Sequence, residues 1–201
     1  MGYHWTKRLL LAVGLLAAGP ALAAPPEAPL AVSTATPPEC PAAGLRVVRS
    51  RGGMVDYLGA VPGIPALCHM RRADGEADFY LAAWRSDWPG AGQAYPALWA
   101  VLHGPKGTRA DFVTRSVPGL QWTDSFTNEG IETVQVGGTG HPALRIAHER
   151  NGIEGNTYHS IITQWRDLAT GVTLKTVENQ IAGQSYGPDT TWQAVRIETL
   201  P

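Results

Sequence analysis

The sequence has no excess of basic residues and no dense cluster of them. Its 201 residues include 16 lysines and arginines against 17 aspartates and glutamates. The closest approach to a basic patch is Arg46, Arg49 and Arg51, followed by Arg71-Arg72. Binding to nucleic acid depends on a concentrated positive field. We therefore expect no nucleic-acid partner.

Long apolar runs are also scarce. One short run, Leu9–Ala18, follows Lys7 and Arg8 and precedes the small residues Ala21-Leu22-Ala23. A basic start, a short apolar run and a small-residue cleavage site are typical of a secretory signal peptide. The run is too short for a comfortable membrane span. The sequence thus predicts a signal peptide at residues 1–23, a periplasmic or secreted mature chain, and no membrane span in that chain.

Cysteine is nearly absent. Cys40 and Cys68 are the only two, and both lie beyond the predicted cleavage site. An isolated pair in an oxidising compartment is most simply a disulfide. A redox-active pair or a metal site is the alternative, but the C-x-x-C spacing that lowers a thiol pKa is missing. The pattern predicts a structural disulfide between Cys40 and Cys68.

The mature chain divides into a short arm and one domain. Residues 24–39 contain five prolines among small residues, which is typical of a disordered or extended tether. From Cys40 to Pro201 there is one domain's worth of chain. We expect three segments: a signal peptide at 1–23, a proline-rich tether at 24–39 and a single β-rich domain at 40–201.

Turn signals recur at short intervals within the domain and bound runs that suit strands; among them are Glu129-Gly130, Gly137–Gly140 and Asn151-Gly152. Short connections favour antiparallel neighbours, because parallel strands need long crossovers. Only residues 93–102 have helical character, and Pro96 should keep that helix short. The pattern predicts a mainly β (α+β) fold: a curved antiparallel β-meander or half-barrel with one short helix.

Histidines form one candidate metal site. Leu144, Ile146 and His148 alternate on one face of a predicted strand, and His159 begins the next strand. A loop centred on Ile153-Glu154 would pair His148 with His159, with their Cβ atoms about 5 Å apart. Two imidazoles at that distance suit a transition metal or a shared proton. His141 is the candidate third ligand; the alternative is a simple aromatic cross-strand pair.

The remaining motifs do not assemble a catalytic site. Gly183–Gly187 matches the G-x-S-x-G nucleophile elbow, but that motif requires a following helix and a later histidine. No histidine occurs after His159. We therefore expect no serine hydrolase of that family, and the sequence predicts neither a catalytic residue nor a cofactor.

Tryptophan is abundant, with six in the mature chain. Aromatic side chains at this density can line a ligand cavity, although they more often fill a small core. Trp84 and Trp88 stand out because they lie where a predicted strand leaves the sheet, near the Pro89-Gly90 turn. We predict that these two tryptophans contribute to a binding site.

Residues 163–176 combine an aromatic strand, a D-x-x-T-G turn and an apolar strand carrying a lysine. This hairpin resembles those of the periplasmic lipoprotein-carrier superfamily. The resemblance, which covers about 14 residues, implies a half-open β-barrel that holds acyl chains against a curved sheet. It also implies that Trp165, Val172 and Leu174 lie on the inner face of that sheet.

Three functional hypotheses follow. The first is an exported binding module whose curved sheet presents an apolar concave face to a lipid-like ligand or to an envelope protein. The second is a metal-dependent protein or enzyme that uses His148 and His159. The third is a structural component of an envelope complex, tethered by the proline-rich arm. The absence of a catalytic set favours the first.

Overall fold

A computed structural model describes residues 36–115, 119–183 and 191–201. The predicted signal peptide, most of the predicted tether and most of the Gly183–Gly187 motif lie outside these residues. The described elements run along the chain in the following order: β1 (Leu45–Arg49), β2 (Met54–Val61), β3 (Ile64–Arg72), β4 (Gly75–Tyr80), β5 (Trp84–Arg85), α1 (Ala91–His103), β6 (Arg109–Arg115), β7 (Gln121–Val136), β8 (Thr139–Ile153), β9 (His159–Asp167), β10 (Thr173–Ala182) and β11 (Trp192–Thr199).

The strands form one antiparallel sheet in the order β5-β4-β3-β2-β1-β11-β10-β9-β8-β7-β6. Nearly every strand therefore pairs with its neighbour in sequence. The pairing of β1 with β11 joins the half of the sheet formed by β1–β5 to the half formed by β6–β11. The two ends, β5 and β6, are not hydrogen-bonded to each other, so the sheet is open. The prediction of a curved antiparallel meander with one short helix is confirmed. Helix α1 contains Pro96, as predicted, and at Ala91–His103 it is longer than the predicted span of 93–102.

The β7–β8 hairpin is longer than the turn signals predicted. Its tight turn is Gly137-Gly138, whose φ angles of 57° and 87° are the left-handed pair that a two-residue hairpin requires. The prediction of a second turn at Glu129-Gly130 was wrong. The strand passes through this point with a shift in register between Asn128 and Gly130, and the φ of 97° at Gly130 marks a β-bulge.

The predicted pairing of His148 with His159 was also wrong. His159 pairs with Asn151, and His148 pairs with Ile162. The cause is that β8 continues to Ile153, three residues into the predicted loop at 151–156, so the pairing is centred on Gly155. Because side chains alternate along a strand, this three-residue shift puts His148 and His159 on opposite faces of the sheet.

The sheet curves until its two edge strands approach each other. On β5, the Trp84 ring lies edge-on to Phe112 of β6, with centroids 5.6 Å apart, and to Phe126 of β7 at 6.0 Å. Helix α1 packs against β6, β7 and β5. Asn128 on β7 donates to the carbonyl oxygens of Val101 and Gly104, which fixes the last turn of that helix. The helix therefore covers one end of the concave face.

A buried arginine holds this covered end together. Arg166 on β9 donates to the carbonyl oxygens of Pro38 and Glu39, each at 2.6 Å, and to that of Leu81. Burial lowers the pKa of this guanidinium to about 10. Leu81 has a φ of 51° despite its side chain, and it lies in the turn that leads into β5. Arg166 thus stabilises the turn that positions Trp84.

These contacts extend the folded domain toward the N-terminus. Pro37 is buried, and the Pro38 and Glu39 carbonyls are the acceptors for Arg166. Residues up to three positions before the boundary predicted at Cys40 therefore contact the domain. Within the described ranges, no helix is long and apolar enough to cross a membrane.

The predicted disulfide is confirmed: Cys40 and Cys68 are bridged, with their Cα atoms 5.4 Å apart. The bond joins the segment before β1 to β3. Since Cys68 is buried in the core cluster around Val47 and Tyr57, the bridge fixes the N-terminal segment to that core.

Replacing both cysteines, as Cys40→Ala/Cys68→Ala, should lower the free energy of unfolding by about 3 kcal/mol. The physical reason is that the unfolded chain regains the freedom of the loop that the bridge closes. Urea denaturation followed by tryptophan fluorescence measures this loss. The far-ultraviolet circular dichroism of the folded variant should remain that of a β-sheet protein. An unchanged unfolding midpoint would show that the bridge contributes nothing.

Candidate functional site

The concave face encloses a cavity of about 1010 Å³. Strands from both halves of the sheet contribute to its wall. Its aromatic lining includes Tyr57, Trp84, Trp88, Trp122, Phe126 and Trp192. Pockets that bind small molecules commonly have volumes of about 300–1,000 Å³. This cavity therefore lies at the upper end of the usual range.

Strand alternation explains which residues reach the cavity. On β7 the inward side chains are Trp122 and Phe126, and on β8 they are Ile146, His148 and Arg150. The predicted alternation that placed Ile146 and His148 on one face is therefore correct. On β9, by contrast, the inward residues are Ile162 and Gln164, because of the register described above.

A buried carboxylate lies behind the aromatic wall. Asp124 is 1 % exposed and accepts hydrogen bonds from three residues of neighbouring strands. Thr114 Oγ1 lies 2.5 Å from its Oδ2, and His148 Nε2 and Arg150 Nε each lie 2.7 Å from its Oδ1. Since an ionised carboxylate only accepts, His148 carries its proton on Nε2 and leaves Nδ1 as an acceptor.

Arg150 connects this carboxylate to the aromatic wall. Its guanidinium carbon lies 5.3 Å from the Trp84 ring centroid and 5.2 Å from that of Trp122. Both distances are within the range of a cation–π interaction. The ion pair with Asp124 and the two indole rings therefore hold Arg150 in place, and Arg150 holds Trp84 and Trp122 at the cavity wall.

The environment shifts two pKa values in this cluster. Burial lowers the pKa of His148 and outweighs the opposing hydrogen bond to Asp124. For Asp124, burial alone would raise the pKa, but the hydrogen bonds and positive charges of His148 and Arg150 together lower it. Near neutral pH the cluster therefore contains a charged Asp124–Arg150 pair and a neutral His148.

The four predicted ligand-binding residues lie in two different places. Trp84 is buried in the cavity wall, and Trp88 is 48 % exposed beside it, with ring centroids 6.1 Å apart. Trp165 and Leu174 instead belong to the core cluster and are not among the residues that line the cavity. The Trp165 ring lies beneath Lys175, 4.4 Å from its ammonium group, and its indole N–H donates to Glu132.

The three histidines proposed as metal ligands do not meet. His148 pairs with Asp124, His159 Nε2 lies 3.1 Å from Glu149, and His141 Nδ1 lies 3.6 Å from Asp167. Each imidazole is thus matched with a different carboxylate. Among the described residues, no three histidine, cysteine, aspartate or glutamate side chains are grouped as a metal ion requires.

Asp124, Arg49, Arg72 and Arg150 are site residues that the sequence did not predict. The sequence predicted no role for Asp124 or Arg150, and Arg49 and Arg72 were noted only as part of the weak basic cluster described above. One signal for Asp124 was present: it alternates with Trp122 and Phe126, so it shares their face. No local signal marks the arginines, because their proximity arises from pairing between distant strands.

Comparisons with known proteins add no relative: no family model, no curated protein and no solved structure matches this chain. The function is therefore argued from the cavity itself.

Lowering the pH should destabilise the protein through His148. The unfolded chain binds a proton there with the ordinary histidine pKa of 6.5, whereas the folded protein binds it only at a lower pH. The unfolded state therefore binds more protons below about pH 6.5, and the free energy of unfolding falls as the pH drops. Urea denaturation between about pH 7 and pH 5 should show a steeper loss for the wild type than for His148→Gln.

The imidazole itself gives an independent measurement. Its NMR chemical shifts should titrate with a midpoint below the ordinary value of 6.5. A midpoint at or above that value would contradict a neutral, buried His148.

Proposed function

We propose that this protein is an exported binding module whose concave face holds a lipid-like ligand with a long apolar chain. The observation that carries this proposal is the cavity of about 1010 Å³ and its wall of aromatic and aliphatic side chains. A pocket of this size, with an aromatic and aliphatic lining and a few polar groups in its wall, is the usual form of a small-molecule binding site.

The shape of the cavity supports an elongated ligand. Helix α1 covers the concave face at the end where β6 begins. The hairpin turns after β1, β3 and β8 lie at the other end, because successive strands are antiparallel. We call this second end the turn end. The alkyl chain of a ligand that enters at the turn end can extend along the cavity wall past Ile162 and Phe126 toward helix α1.

Rigidity of the wall favours binding as well. Trp84 contacts Trp88, Phe112, Phe126 and His148, with ring centroids 5.4 to 6.1 Å apart. Arg150 braces the same ring from another side. A preformed pocket avoids much of the ordering cost that binding otherwise incurs. The predicted export is consistent with this role, because a lipid-like molecule crosses an aqueous compartment only when its apolar chain is covered.

The first test is a native mass spectrum of the protein purified without detergent or reducing agent. We expect an additional mass, released on denaturation, that corresponds to a ligand with an alkyl chain. Titration of the delipidated protein with hexadecanol, followed by tryptophan fluorescence, should then show saturable binding. A bare mass together with no response to hexadecanol would contradict the proposal.

Neighbouring isoleucines on β9 provide a matched pair of variants. Ile162 lies in the cavity floor, whereas Ile161 pairs with Glu149 on the opposite face. Ile162→Gln should weaken hexadecanol binding about tenfold, because it exchanges apolar contact for a polar amide. Ile161→Gln makes the same chemical change outside the cavity and should leave the affinity unchanged. Equal affinities for the two variants would place the ligand elsewhere.

A further inference from the structure

Arginines are concentrated at the turn end of the cavity. The wall contains Arg49 at the end of β1, Arg51 in the following turn and Arg72 at the end of β3. Asp74 and Glu178 are the carboxylates that line it. Among the described residues, these arginines therefore outnumber the carboxylates of the cavity wall, whereas in the chain as a whole acidic residues outnumber basic ones by 17 to 16.

Arg49 is held on the inner face by contact with an aromatic ring, and not by an ion pair with a carboxylate of the described residues. Its guanidinium carbon lies 5.4 Å from the Trp192 ring centroid, and Gly53, with a φ of 75°, leaves room for its Nη2. Its Nε is buried and has no hydrogen-bond acceptor in the described part of the chain. No carboxylate of the described residues forms an ion pair with it within 4 Å. A buried donor without an acceptor is costly, so this group is prepared for one that arrives from outside.

Arg72 faces the same end of the cavity from β3. Its guanidinium carbon lies 5.6 Å from the Phe79 ring centroid. Its Nε lies 3.5 Å from Asp74 Oδ1 without forming a hydrogen bond, and Asp74 is shared with Arg85 at 3.6 Å. Burial and the positive charge of Arg72 both lower the pKa of Arg49. Asp74 offsets part of this repulsion between the two guanidinium groups, and a further anion at the turn end, which both arginines line, would offset more of it.

We propose that Arg49 and Arg72 bind the acidic head group of the ligand, so that the cavity selects an acyl chain ending in a carboxylate or phosphate. Guanidinium groups suit both oxyanions, because their N–H donors match the spacing of two oxygens. The head group lies at the turn end, and the chain extends along the aromatic floor toward helix α1. This assignment rests on the proposed binding function and specifies its ligand class.

The test compares two ligands with the same chain and different heads. Palmitate carries a carboxylate that is ionised at about pH 8, and hexadecanol is uncharged. The wild type should bind palmitate at least about tenfold more tightly than hexadecanol. Arg49→Gln/Arg72→Gln should lose this preference and bind hexadecanol as the wild type does, which also shows that the variant is folded. Arg49→Lys/Arg72→Lys should retain part of the preference.

Arg71→Gln is the matched control. Arg71 is adjacent to Arg72 but lies on the outer face, where it pairs with Glu76 at 2.7 Å. The Arg71→Gln variant removes a positive charge from β3, the strand that also carries Arg72, and should keep the wild-type preference for palmitate. If Arg49→Gln/Arg72→Gln and Arg71→Gln both retain the preference, the head group is not at this arginine pair.

The remaining outcomes separate the two proposals. Hexadecanol and palmitate binding equally well to the wild type would overturn the acidic head group and leave the apolar cavity in place. Binding of neither ligand would overturn the binding function itself and this assignment with it. Inorganic phosphate alone should bind at least a hundredfold more weakly than palmitate. Equal affinity for phosphate would show that the arginines serve a free soluble anion, and would overturn the lipid assignment.

Discussion

The contact between Trp84 and the opposite edge of the sheet is the constraint on which the concave face depends. An eleven-stranded sheet could remain a shallow, twisted surface, since its edge strands β5 and β6 share no hydrogen bonds. Trp84 on β5 reaches Phe112 on β6, Phe126 on β7 and His148 on β8. Because one ring joins four strands, it converts the curvature of the sheet into a half-open cavity.

Two charged groups support this contact from behind. Arg166 donates to the Leu81 carbonyl in the turn before β5, and Arg150 lies over the Trp84 ring while bonded to Asp124. Buried charges are tolerated only when their hydrogen bonds are satisfied. Asp124 meets this condition through Thr114, His148 and Arg150. The concave face therefore carries a paired polar cluster that fixes the wall and, separately, Arg49 and Arg72, the proposed site of the ligand's head group.

Sequence reasoning predicted most of the fold but less of the site. The meander follows from closely spaced turns, and the disulfide follows from an isolated cysteine pair. The errors have physical causes. Gly130 and Gly152 were interpreted as turn residues. Instead, β7 continues through Gly130 and β8 continues through Gly152. Since β8 continues past Asn151, the predicted pairing of His148 with His159 shifted by three residues and changed face.

The sequence by itself determined the antiparallel strands, the single helix, the disulfide and the alternation that turns Ile146 and His148 to one face. These features depend on local turns, short-range periodicity or one covalent bond. Only the tertiary structure decided that Trp165 lies outside the cavity, that Asp124 is a buried acceptor and that Arg49 and Arg72 line the same cavity. Each of these depends on strand register and sheet curvature, which arise from pairing between segments far apart in the chain. No short stretch of sequence encodes such a distance.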